Sequence, residues 1–115
     1  MEVKTVKELC SYQVHFSKPL KTNQIMKLYK LAGKTQHHMY IHQGKLIADT
    51  GHLPKLLSFS LLMDMDTPVV FIIDGEDVEK VFEEIKGSLS DYIDHTICRR
   101  KYNDAMMVNE TSVTI

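Results

Sequence analysis

Residues His15-Phe16-Ser17-Lys18-Pro19 bring an imidazole, a hydroxyl and an ammonium together just before a segment with helical spacing. Pro19 has a fixed φ and no N–H to donate, so it fits the first turn of a helix. From Thr22 onward Ile25, Leu28, Tyr29 and Ala32 fall on one helical face, and Gly33 is expected to stop the run. A basic side chain and a hydroxyl at such a place point to an anion site. Free backbone N–H groups and the helix dipole both favour negative charge there. An ordinary strand-to-helix connection is the alternative.

The other chemistry-bearing residues form weaker sets. On a strand, His38 and His42 share a face but lie about 13 Å apart at ~3.3 Å per residue, too far to hold one ion. His37 points away from His38, and His52 adds at most a second ligand across a hairpin, so no metal site is expected. Asp64, Asp66, Asp74, Glu76 and Asp77 lack the spacing of a calcium loop. Ser58 and Ser60 lie among leucines without a nearby base-and-acid pair, so nothing supports a hydrolase nucleophile. Cys10 and Cys98 have neither metal-ligand nor redox spacing, and two free thiols in a reducing cytoplasm are the simplest account. The methionines are scattered and read as core filler and loop.

Composition narrows the function classes. The chain has 115 residues, enough for one domain with a modest core. Hydrophobic residues make up 43% and charged residues 25%, the balance of a globular domain. A formal net charge of -1 argues against bulk binding of nucleic acid, and Arg99-Arg100-Lys101 is too short a cluster to change that. No apolar run approaches the ~20 residues of a membrane span, and the N-terminal residues lack a signal peptide's apolar region. A cytoplasmic protein without membrane or nucleic-acid partners is expected, with no cofactor.

The elements that must position these residues follow from periodicity. Residues 1–16 read as a strand of open register, since Val3 and Val6 are three apart while Tyr12, Val14 and Phe16 alternate. A helix over roughly residues 20–33 follows. Residues 36–42 form a strand, Gln43-Gly44-Lys45 a tight turn, and residues 46–50 its hairpin partner. A second helix carries Pro54 in its first turn, with Leu53, Leu56, Leu57 and Leu61 at helical spacing. Residues 68–73 form the most apolar strand, ended by Asp74-Gly75. The third helix begins near Glu76-Asp77 and buries Val78, Val81, Phe82, Ile85, Leu89 and Tyr92. The predicted class is α+β: two layers, with helices on one face of a mostly antiparallel sheet. Residues 1–93 constitute the domain, and 94–115 a C-terminal extension, either an extra strand or a loose tail.

This order, with Lys18-Pro19 before the first helix and Asp74-Gly75-Glu76-Asp77 before the third, resembles the HPr family. These are the phosphocarrier proteins of the bacterial phosphoenolpyruvate-dependent sugar phosphotransferase system. The resemblance spans roughly residues 3–92. It is strongest at Gly44-Lys45, in the leucine pattern from Leu53 to Leu61, and from Val69 to Ile85. It implies an open-faced β-sandwich of order βαββαβα with three helices.

The resemblance also implies a chemistry that this chain alters. Family members carry His-Ala-Arg-Pro at the first helix, where the His accepts a phosphoryl group and the helix amides and Arg hold it. The matching residues are Phe16-Ser17-Lys18-Pro19. Phe16 offers no lone pair, and Lys18 keeps a charge without the bidentate fork. The family's regulatory Ser at the second helix falls on Gly51 or His52, with Thr50 the adjacent hydroxyl. The first expectation is therefore an HPr-like protein without phosphocarrier chemistry, not an enzyme, that acts as a regulatory protein-binding module. Its partner would be a phosphotransferase-system component or a transcriptional regulator. The family's docking face maps here onto Phe16, Lys18, Leu53 and Leu57, with a Phe16 that packs inward as the other reading of that residue. The alternative is a divergent phosphocarrier with His15 as phosphoacceptor. That needs a slip of one residue, although neighbours on an extended strand point to opposite faces.

Overall fold

The computed structural model describes residues 7–35 and 37–103, with side chains for 8–35 and 37–98. Its elements are β1 (Lys7–Phe16), α1 (Thr22–Lys34), β2 (His38–Gln43), β3 (Leu46–Asp49), α2 (Leu53–Leu62), β4 (Val69–Glu76), α3 (Val78–Ser88), a 3-10 turn (Ser90–Tyr92) and β5 (Ile93–Asn103). The class is α+β, with one antiparallel sheet of five strands in the order β3-β2-β4-β1-β5.

The pairing makes each helix a crossover between parallel strands. β1 and β2 both run antiparallel to β4, which lies between them, and α1 connects them across it. In the same way α2 carries the chain from β3 to β4 across β2, and α3 from β4 to β5 across β1. Parallel strands cannot be joined by a tight turn, so a helical segment is required at all three places.

Side-chain alternation decides what the helices cover. Cys10, Tyr12, Val14 and Phe16 of β1 line up with Ile73, Phe71 and Val69 of β4 and with Met39 and Ile41 of β2, all buried on one face. Onto them pack Ile25, Leu28 and Ala32 of α1, Leu56 and Phe59 of α2, and Val78, Val81, Phe82 and Ile85 of α3. The Tyr12 ring stacks on Phe82 at 3.7 Å between centroids, which seats α3 on β1. Among the described residues no helix covers the opposite face, and Tyr40, Ile47 and Ile97 are exposed there.

Several boundaries differ from expectation. α1 begins at Thr22 with an extended Lys21 as N-cap, so Pro19 precedes the helix; Leu20 is buried between them. Gly33 lies inside the helix, which runs to Lys34, because one exposed glycine costs only about 1 kcal/mol. β4 continues through Asp74-Gly75 to Glu76, since Lys7 to Leu9 of β1 keep pairing with it. Gly75 has φ +151 and packs against the His37 ring, which a side chain at this position would enter. Asp77 then takes a left-handed conformation as N-cap of α3 with no side-chain cap bond. Tyr92 falls in the 3-10 turn and is half-buried, not part of the helical stripe.

The polar stretch after Ile93 is a strand, paired with β1 from Phe16↔Ile93 to Glu8↔Asn103. The expected strand register over residues 1–6 and the alternatives for residues 104–115 lie outside the described residues.

Candidate functional site

The approach to α1 is built by β1 on one side and the 3-10 turn on the other. The Ser17 N–H donates to the Tyr92 carbonyl at 2.8 Å, and the Lys18 ammonium sits 4.7 Å from the centroid of the Tyr92 ring. Ser17, Lys18 and Pro19 are exposed, whereas Leu20 anchors the segment. α1 has no side-chain cap and no acidic residue in its first turn, so its N-terminal amides lie beside Lys18 and Lys21 in sequence without a competing carboxylate.

Phe16 does not belong to an exposed docking face. It is 8% exposed, with its ring 6.5 Å from that of Phe71. The reason is the period of two: Tyr12 and Val14 face the helices, so Phe16 does also. His15 consequently faces the open side of the sheet. Its ring stacks on His95 of β5 at 4.0 Å between centroids, and the Gln13 amide nitrogen lies 3.0 Å from its Nε2. The two residues are thus on opposite faces, and His15 is turned away from the core that leads into α1.

On α2, Leu56 and Phe59 are fully buried, Leu53 and Leu57 are half-buried against the core, and Leu61 and Leu62 are 84% and 69% exposed. Pro54 occupies the first turn and His52 accepts a hydrogen bond from the Lys55 N–H at 3.4 Å, so the sequence starts the helix there by two separate devices. α1 and α2 pack side by side and, as crossovers of opposite sense, run antiparallel. No acidic residue occurs between Glu8 and Asp49. The exposed side chains of α1 therefore include Lys27, Lys30 and Lys34 with no countercharge on the helix.

Thr50 is buried, and its hydroxyl donates to the Met39 carbonyl at 3.1 Å, which removes it as an accessible hydroxyl beside α2. His52 serves as the α2 cap, and His38 and His42 lie on the open face of β2. Among the described residues no group of three or more His, Cys, Asp or Glu is arranged for a metal ion. Asp64 turns its carboxylate onto the Asp66 N–H and the Thr67 hydroxyl, and Gln43 bonds the backbone of Asp64 and Thr67. These acids organise a loop.

His95 carries no signal in the sequence, and Tyr92 and Cys98, legible only as a helix-stripe residue and a free thiol, have other neighbours here. Cys98 is exposed and lines a groove with Tyr12, Phe82 and Lys86, while Cys10 is buried. Burial, reinforced by Cys10, raises the Tyr12 hydroxyl pKa above the ordinary tyrosine value. No local signal marks these neighbours, because each meets its partner only through the β1–β5 register. No helix among the described residues is long and apolar enough to cross a membrane. No protein-family model, curated protein or solved structure matches this chain.

Proposed function

We propose that this chain is an HPr-like protein without phosphocarrier chemistry, and that it acts as a regulatory protein-binding module through α1 and α2. The observation that carries the binding half of this reading is α2. Leu61 and Leu62 are exposed at the end of a helix whose opposite face is already committed to the core. A ten-residue helix that keeps two adjacent leucines outside its buried stripe, beside Lys55 and Ser58, has an apolar end to spare for a partner. The lysines of α1 beside it favour an acidic partner surface, and they supply steering more than affinity.

The loss of carrier chemistry is supported at β1. The position that the resemblance assigns to the acceptor holds a buried phenyl ring, and the neighbouring imidazole points to the other side of the sheet. An in-line transfer to His15 would have to take place away from the α1 amides that stabilise a phosphoryl group. The order of the first four strands, β3-β2-β4-β1 with its two crossovers, is compatible with the resemblance. Within this reading β5 is an addition that borders the α1 approach through Tyr92.

The test has two arms. Intact-mass analysis after incubation with enzyme I, magnesium and phosphoenolpyruvate should show no phosphoryl adduct, while a genuine HPr in the same tube is charged. An adduct on the parent that disappears in His15→Ala would overturn the loss of chemistry. In the second arm, calorimetric titration against phosphotransferase-system components and their transcriptional regulators should show binding. Leu61→Asp with Leu62→Asp should abolish it, and binding indifferent to that change would remove α2 from the interface.

A further inference from the structure

We propose that His15 and His95 form a cross-strand chelate for a divalent late first-row transition ion, fastening β5 to β1. The two residues are direct partners in the β1–β5 register, and both lie on the face opposite α1, α2 and α3. Their rings are stacked, 4.0 Å apart and 16° from parallel. This inference is independent of the function proposed above.

The nitrogen chemistry suits a ligand pair. Asp94 Oδ2 lies 3.0 Å from His95 Nδ1, so the carboxylate accepts that N–H and leaves Nε2 as the lone-pair nitrogen. On His15 the Gln13 amide N–H donates to Nε2 at 3.0 Å, which makes Nε2 the lone-pair nitrogen there as well. An ion would replace the amide. Metal–nitrogen distances of about 2.0–2.1 Å place two ligating nitrogens about 3–3.4 Å apart. The stacked rings must therefore rotate out of the stack about their side-chain torsions for both lone pairs to converge on one ion, a movement that the exposed face of the strand pair allows. Imidazole suits nickel, copper and zinc, and no third protein donor is in place among the described residues, so water completes the shell.

Its position gives the chelate a structural consequence. The β1–β5 pairing shifts register at Ser11/Tyr12 and again at His15/Phe16, so the regular ladder between them is short. Among the described residues β5 is also an edge strand, with β1 as its neighbour in the sheet. A bridge at His15–His95 closes that short ladder at the end next to the second register shift. The other histidines do not compete as pairs: His38 and His42 share one strand about 13 Å apart, His52 caps α2, and His37 packs on Gly75.

The experiment is calorimetric titration of the tag-free full chain with Ni2+ at pH 7.5, where imidazoles are available as ligands. One site in the micromolar range is expected, weakened at least tenfold by His15→Ala and by His95→Ala, and unchanged by His42→Ala. Parent and His95→Ala binding with equal affinity would overturn the proposal. A second measurement avoids any folding defect of the variants. In the parent, paramagnetic Ni2+ should broaden the imidazole resonances of His15 and His95 before those of His38 and His42. Ni2+ should also slow amide exchange at residues 12–16 and 93–98. Broadening that begins at other histidines, or exchange unaltered by a bound ion, would equally sink the idea.

Discussion

The Lys18 ammonium lies 4.7 Å from the ring centroid of Tyr92, and the Ser17 N–H donates to the carbonyl of the same tyrosine. The segment that leads into α1 is therefore tied to the turn that leads into β5. A charge that the resemblance would assign to anion binding rests on an aromatic face. Cation–π contacts at exposed sites are worth about 0.5–1 kcal/mol. Lys18→Met and Tyr92→Leu should each lower stability by about that amount, and together by less than the sum. Urea unfolding of the four proteins of this cycle measures the coupling. Additive losses would mean that the two side chains do not interact.

Phe16 behaves as a core residue. Phe16→Ala should cost about 3–5 kcal/mol, while Phe16→Leu, closer in volume, should cost less than about 1.5 kcal/mol. Phe16→His restores the residue type that the resemblance implies. It should nevertheless destabilise, because an imidazole in place of a phenyl ring against Phe71 brings polar nitrogens into the core. Denaturant midpoints of the three variants test the ranking, and a neutral Phe16→Ala would return this residue to the surface.

Gly75 and His37 depend on one another. The backbone at Gly75 has φ +151, and the His37 ring occupies the space that a Cβ would need while its Nε2 bonds the Glu76 carbonyl. Gly75→Ala should destabilise by about 1–3 kcal/mol from backbone strain. Adding His37→Ala should recover the steric part and leave the strain. Thermal melts of single and double variants separate the two contributions. A fully additive pair would show that the ring is not the obstacle.

Tyr12 predicts an alkaline limit to stability. Burial, the larger cause, and the neighbouring Cys10 raise its pKa in the folded chain above the unfolded value of about 10. A group with a raised folded pKa contributes stability that is complete below the unfolded pKa. That stability declines as pH rises toward the folded pKa. The loss should therefore begin above about pH 10, at no more than about 1.4 kcal/mol per pH unit from this group. Urea midpoints from pH 8 to 11 should show it in the parent. Tyr12→Phe should have a shallower alkaline slope, and equal slopes would assign the loss to other groups.

The sequence by itself determined which residues share a face. Alternation along β1 separates Phe16 from His15 wherever the strand ends up. The stripes of α1 and α3 select Ile25, Leu28, Ala32, Val81, Phe82 and Ile85 without reference to a partner. Both are properties of local geometry, written at periods of 2 and 3.6. The order of elements and the α+β class follow from the same signals. Breakers were less dependable: Gly33 and Gly75 read as stops, but the helix hydrogen bonds and the β1–β4 ladder carried the chain through them.

Only the tertiary structure decided what the polar run from Asp94 onward does, because no period marks a strand whose helix-side residues include Thr96 and Cys98. Its partner β1 is some 80 residues away, and pairing of that kind is a property of two strands together. The same pairing brings His95 onto His15 and Tyr92 to Lys18. Tertiary packing likewise left Leu61 and Leu62 outside while taking Leu56 and Phe59 in. A helix with leucines on both sides does not specify from its own residues which of them the sheet will cover.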